Sequence, residues 1–228
     1  MKHSSMFYYL VMCFIGFLTP SILCTVSSTA YSAIMSQQFP CQPTPDNAVV
    51  LVDVNGTLCQ TQILTAAITW LRNAPTIINR FWRLKNKYPS YNAAFQEASS
   101  VAASCQNIMK PIQDLVISLK KQGFKVYIFT GLFPSMVREL QKRYPDCFGL
   151  FDGFICRGPD CGWKDKHCDE FFAYAEKRLQ LDGHYAKQIY FFDDQEQHAK
   201  RARKRGWKAV AAQDPYELVR AAHTFGFK

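Results

Sequence analysis

Val49-Val50-Leu51-Val52-Asp53-Val54-Asn55-Gly56-Thr57-Leu58 is an apolar run that stops at a carboxylate, with an asparagine, a glycine and a threonine close behind. Four β-favouring residues without polar alternation predict a strand covered on both faces, and Gly56 permits a sharp turn directly after it. Asp53 then stands outside the carboxyl end of a strand, where ligands bind in parallel α/β sheets. A strand that merely opens into a turn would look the same locally, because Asp, Asn and Gly are turn residues. The rest of the chain decides between the two.

Downstream, residues 60–105 show helical spacing. Leu64, Ala67, Ile68 and Leu71 form one stripe; Pro75, as a first-turn residue, precedes Ile77, Ile78, Phe81 and Trp82; Ala94, Phe95, Ala98, Val101 and Ala102 form a third. Three helices without an intervening strand predict an inserted helical unit whose apolar stripes serve packing. From residue 110 the rhythm changes. Pro111 opens a helix with Ile112, Leu115, Val116 and Leu119 on one face, Gly123 closes it, and Lys125 to Phe129 is a buried strand ending at Thr130-Gly131. The unit then repeats: a helix from Pro134, a strand from Phe151 to Ile155, a helix from Asp169 to Leu179, and a strand from Gln188 to Phe192 ending at Asp193-Asp194. A basic helix to Arg205, a strand from Trp207 to Ala211 and a helix capped by Asp214-Pro215 complete it. Such alternation predicts an α/β fold: a Rossmann-like parallel sheet with helices on both faces, comprising residues 48–59 and 106–228, with residues 60–105 as the helical insert.

Upstream, Met6 to Cys24 is almost wholly apolar behind Lys2 and His3, and Ser28-Thr29-Ala30 suits a signal peptidase. Residues 1–30 therefore read as a signal peptide or, uncleaved, as a membrane anchor through residues 6–24, since the run is close to the roughly 20 residues a span needs. Either reading puts the folded part outside the cytoplasm, periplasmic or secreted. The polar, proline-broken residues 31–47 are a linker. Seven of the nine cysteines follow the leader. Export favours disulfides, and the odd number leaves at least one thiol without an internal partner. Cys156, Cys161 and Cys168 crowd one segment but lack a CxxC pair or a histidine at zinc spacing.

The 228-residue chain carries a formal charge of +9, which favours an anionic ligand or surface. Much of it lies in Lys200, Arg201, Arg203, Lys204, Arg205 and Lys208, where no aromatic residues interleave for base stacking. That cluster reads as a solvated helix face, and no nucleic-acid partner is expected.

Three buried strands thus end in Asp53, Thr130 and Asp193-Asp194, which a parallel sheet gathers on one rim. Clustered carboxylates repel one another unless a cation joins them, and an all-oxygen set suits Mg²⁺. Lys164 or Lys166 can supply the positive charge for an anionic substrate.

These four segments resemble, in order, the motifs of the haloacid dehalogenase-like superfamily. Asp53-Val54-Asn55-Gly56-Thr57-Leu58 is similar to the family's DxDGT followed by an apolar residue, and Val126 to Gly131 to its strand ending in Thr or Ser. Lys166 ahead of Phe172-Ala173-Tyr174-Ala175 fits the motif lysine, and Phe191-Phe192-Asp193-Asp194 the acidic fourth motif. The resemblance implies that residues 60–105 are the cap that covers the site and selects substrates. It implies a small phosphorylated substrate and Asp53 as nucleophile, forming an aspartyl-phosphate. Thr130 and Gly131 with Lys166 would hold the phosphoryl group; Asp53, the Asn55 backbone carbonyl, Asp193 and Asp194 would hold Mg²⁺.

Asn55 departs from that pattern. In the family's phosphatases an aspartate here protonates the leaving oxygen and then activates water, and an amide does neither. Losing a general acid/base lowers rates roughly 10²- to 10⁴-fold, about 3 to 5 kcal/mol of barrier. Three readings stay open: a slow phosphatase on good leaving groups, a phospho-ligand-binding protein without turnover, and an enzyme with another base, for which His198 and Glu97 are candidates. Dehalogenating members also carry a non-acidic residue at this position and need no metal, a further alternative that Asp193-Asp194 and export argue against.

Overall fold

The computed structural model describes residues 42–61, 63–88, 94, 97, 98, 100, 106–184 and 187–228. The leader, most of the linker, and Cys41 and Cys105 lie outside them. A five-stranded sheet runs β5-β4-β1-β6-β7, formed by β1 (Ala48–Val52), β4 (Lys125–Thr130), β5 (Gly153–Cys156), β6 (Gln188–Asp193) and β7 (Lys208–Ala211). Every neighbouring pair is parallel; Leu51 faces Tyr127 on one side and Phe191 on the other.

The opening run is thus the central strand, buried at all five positions. Its side chains divide between two layers, as the period of a strand requires. Ala48, Val50 and Val52 pack with Ile112, Leu115, Val116 and Leu119 of α2 (Lys110–Lys121), Met136, Val137 and Leu140 of α3 (Pro134–Arg143), and Leu218, Ala222 and Phe225 of α7 (Pro215–Phe225). Val49 and Leu51 join the other layer, with Phe171, Phe172, Ala175 and Leu179 of α5 (Asp169–Leu181), and Ala199 and Ala202 of α6 (Glu196–Lys204). Phe129 anchors that layer: its ring lies 4.9 Å from Phe171, 5.2 Å from Phe172 and 5.3 Å from Phe191. Burying one such ring contributes about 1.5–3 kcal/mol, so the helices are held to the sheet mainly by these faces. A short turn of helix, α4 (Pro145–Phe148), precedes β5.

The inserted segment differs from the expectation of a break at Pro75. Ile63–Leu84 forms one helix, α1, with Pro75 inside it. Proline removes a single backbone donor, and Ile77 beyond it is fully buried, so packing of the continuing apolar face holds the helix together. Ala94, Glu97 and Ala98 are helical where the third helix is expected; the remainder of that stretch lies outside the described residues. A two-stranded antiparallel ladder, unforeseen in the sequence, brackets the segment: β2 (Cys59–Thr61) pairs with β3 (Gln106–Ile108), Thr61 opposite Gln106.

Among the described residues, Cys59, Cys147, Cys156, Cys161 and Cys168 are free thiols. Burial pushes Cys147 up to about 11 and Cys156 up to about 12, which leaves both protonated at neutral pH.

Candidate active site

Asp53 stands one residue beyond β1, its N–H donating to the Phe192 carbonyl of β6 at 2.9 Å. The chain then turns through Gly56 at φ +84°. A β-carbon there would lie 2.3 Å from Asp194 Oδ2, so glycine is required both by the backbone angle and by the close approach of the Asp193-Asp194 loop.

The predicted residues converge. Lys166 is buried, and its ammonium lies 2.8 Å from Asp53 Oδ1 and 2.6 Å from Asp193 Oδ2. Asp193 also accepts the Gln195 N–H at 2.8 Å, and its Oδ1 lies 3.0 Å from His198 Nδ1. One oxygen each from Asp53, Asp193 and Asp194 falls within 4.8 Å of the others, the one group of this kind among the described residues. Cys156, Cys161 and Cys168 form no such group. Lys164 is exposed and 3.8 Å from Glu170, so of the two candidate lysines it is Lys166 that reaches the carboxylates. Thr130 is buried with its hydroxyl accepting the Leu132 N–H at 3.2 Å. Asp53, Asn55, Thr130, Gly131 and Lys166 line one cleft of about 260 Å³.

One ammonium cannot balance three carboxylates. At separations near 5 Å and an effective dielectric near 20, each ionised pair repels by about 3 kcal/mol. Burial alone would raise Asp193, but Lys166 and then His198 outweigh it and hold the carboxyl down at about 2. Burial raises Asp53 to about 6 against the pull of Lys166, with Asp193 adding to the rise. Asp194 goes up to about 8, by burial and by the charges of Asp53 and Asp193. Burial works against the Lys166 ammonium, yet Asp193 and Asp53 more than compensate, so its pKa lies above the ordinary lysine value. Asp194 Oδ1 is buried without a hydrogen-bond partner among the described residues. Surplus negative charge, an unpaired carboxylate oxygen and an all-oxygen donor set fit a hard divalent cation, which Asp53, Asp193 and Asp194 could hold.

Asn55 occupies the cleft wall with its side chain already engaged. Its Oδ1 accepts from Gln106 Nε2 at 2.9 Å and Thr61 Oγ1 at 3.2 Å, both on the β2–β3 ladder. His198 is buried, and the Asp193 carboxylate orients it through Nδ1; its Nε2 has no hydrogen-bond partner among the described residues. Glu97 accepts instead from Ser135 Oγ at 2.5 Å, on α3.

Sequence reasoning missed Arg157, Asp165 and His167, which also line the cleft. The Arg157 Nε donates to the Trp163 carbonyl at 2.7 Å, and its guanidinium lies 3.4 Å from Asp165 and 5.0 Å from the Phe133 ring centroid. Arg157 directly follows β5, so its place at a strand end was the available signal; how the loop folds back over the rim is not periodic and leaves no pattern.

A family model for haloacid dehalogenase-like hydrolases matches residues 48–206. The chain belongs to this family. Among solved structures, it is similar to L-2-haloacid dehalogenase from Xanthobacter autotrophicus (15% identity over 72% of this chain and 76% of that one, TM-score 0.51). It is likewise similar to CbbY from Rhodobacter sphaeroides in complex with phosphate (16% identity, 72% and 85% covered, TM-score 0.51). YfnB from Bacillus subtilis, bound to magnesium, covers more of the chain (16% identity, 79% and 99% covered, TM-score 0.54). At these identities the likeness is one of fold, which hosts more than one chemistry. No curated protein is similar enough in sequence to count as a match.

Proposed function

We propose that the protein is an exported, Mg²⁺-dependent phosphatase of the family, slow because Asn55 stands where an acid/base is needed. The observation that carries this reading is the Lys166 ammonium held between Asp53 and Asp193, with Asp194 completing a carboxylate trio. A dehalogenase that needs no metal has no use for the third carboxylate, whose charge the site otherwise suppresses. Bound Mg²⁺ would neutralise that surplus and draw charge from the phosphoryl oxygens.

The roles of the chain's own groups follow from position. An Asp53 oxygen attacks phosphorus and the bond to the leaving oxygen breaks, giving an aspartyl-phosphate. Lys166 keeps Asp53 ionised and faces the charge that develops on the transferred group. Thr130 Oγ accepts one N–H, and its own O–H can donate to a phosphoryl oxygen. Water then attacks phosphorus, releasing phosphate and restoring the carboxylate. Asn55 can neither give nor take a proton in either step, so the first favours leaving groups stable as anions and the second is slow. Residues 60–105 act as the cap, with the β2–β3 ladder as its stem.

Trapping tests this directly: with an aryl phosphate and Mg²⁺, acid-quenched protein carries an acid-stable, hydroxylamine-labile phosphoryl group, and Asp53→Asn carries none. An equal phosphoryl load in that variant contradicts the assignment. A second reading, a phospho-ligand-binding protein without turnover, is favoured by the Asn55 amide being committed to Gln106 and Thr61. It predicts phosphate-analogue binding with no phosphoryl transfer to Asp53.

A further inference from the structure

Helix α1 carries an apolar stripe that nothing among the described residues covers. Ile68 is 43% exposed, Leu71 67% and Trp82 49%, and Pro75 between them is exposed too. These positions fall at i, i+3, i+7 and i+14, along one side of the helix. Ile77, fully buried, marks the opposite edge of the apolar face, the one turned to the protein. The stripe is therefore additional to the face that packs.

Its surroundings are strongly one-signed. Residues 54–96 contain Arg72, Arg80, Arg83, Lys85 and Lys87 and no Asp or Glu at all. Arg72 and Arg83, both exposed, are eleven residues apart and so line up beside the stripe, while the Lys85 ammonium lies 4.2 Å from the Trp82 ring centroid. On α6 and just after it, by contrast, several basic residues have acidic partners: Arg201 has Asp169 at 2.7 Å, Arg203 has Glu196, and Arg205 has Glu176 at 2.5 Å. Along α1 no such acidic partners are available within the segment.

We propose that α1 docks on the surface of an anionic membrane. A helix with Trp and aliphatic residues along one strip, a row of arginines beside it and no acids has the composition of helices that lie in the lipid interface. The exposed apolar residues enter the headgroup boundary, with Trp82 at the level its amphipathic ring prefers. Arg72, Arg83 and Lys85 meet the lipid phosphates, each adding to the affinity at low ionic strength. The helix lies on the bilayer and does not cross it, since no helix among the described residues is long and apolar enough to span. Docking of this kind needs only the exposed side of α1 and leaves the cleft residues untouched. It stands whether or not the protein is a phosphatase.

The test uses the full chain and tryptophan quenching by vesicles of brominated phosphatidylcholine, with and without phosphatidylglycerol. The expected result is quenching that requires phosphatidylglycerol, weakens at high salt and is mostly lost in Trp82→Phe. The double variant Arg72→Glu, Arg83→Glu needs roughly tenfold more lipid or beyond for half-saturation. Because residues 6–24 contain no tryptophan, attachment through them alone leaves the Trp82 signal unchanged and overturns the proposal. Equal quenching without anionic lipid overturns it as well. So does a lipid-free dimer in which Trp82 is shielded from acrylamide, which would assign the stripe to a second copy of the chain.

Discussion

Lys166 faces more negative charge than it can balance, and this imbalance has a pH signature. Asp194, held at about 8 in the fold against an ordinary 3.8, keeps its proton after the unfolded chain has lost its own. Metal-free stability therefore falls as pH rises across that window and levels off above it. Asp193 does the opposite: lowered to about 2, it stabilises the fold above its unfolded value and that contribution vanishes as pH drops toward 2. In chelator, melting temperature should decline from about pH 5 to about pH 8. Asp194→Asn should flatten that decline and abolish most of the stabilisation that Mg²⁺ gives the wild type. A variant that still gains fully from Mg²⁺ would remove Asp194 from the metal set. Asn55 poses the complementary question. Asn55→Asp should raise turnover roughly 10²- to 10⁴-fold only if the new carboxylate can leave Gln106 and Thr61. Combining it with Gln106→Leu, which removes the 2.9 Å donor, should raise the rate further. Unchanged turnover in both, with Mg²⁺ binding intact, would show that the acid/base was not the missing part. The identity of Asn55 was legible in the sequence but its partners were not: Gln106 lies 51 residues away, and a polar contact over that distance leaves no periodicity.

At the scale of elements, continuous apolar runs marked the strands well because both faces of a parallel strand are buried, as in Ala48–Val52 and Lys125–Thr130. The β2–β3 ladder escaped because each strand has three residues and half-polar composition, too short for any period to register. Pro75 misled for a different reason: local propensity favours a break, but the buried Ile77 side of α1 runs straight past it. Proline inside a helix costs about 3 kcal/mol relative to alanine in an unstrained host. Pro75→Ala should therefore raise thermal stability by part of that amount, whereas two separate helices, with Pro75 favoured in the first turn of the second, would lose stability. Gly56 is the position where element geometry and site meet. Gly56→Ala must take up a positive φ and push against Asp194, so it should lower stability by at least about 1 kcal/mol and weaken Mg²⁺ binding together. Loss of stability with unaltered metal affinity would separate the turn from the carboxylate trio.

For the whole molecule, strand order decides what strand reading alone cannot. The topology sets β1 between β4 and β6, so the tips carrying Asp53, Thr130 and Asp193 are immediate neighbours on one rim. That convergence was readable from alternating strands and helices, since parallel crossovers put all carboxyl ends on one side. Arg157 and Lys166 both lie in the connection between β5 and α5, residues 157–168, and only the resemblance to family motifs singled out Lys166 before the geometry was known. In the function we propose, this rim performs metal-dependent phosphoryl transfer through Asp53. Steady-state release of phosphate from an aryl phosphate, with and without Mg²⁺, measured beside Asp53→Asn, tests it most directly. The prediction is slow release that requires Mg²⁺ and disappears in the variant; release that persists in Asp53→Asn, or that proceeds equally in chelator, would contradict it.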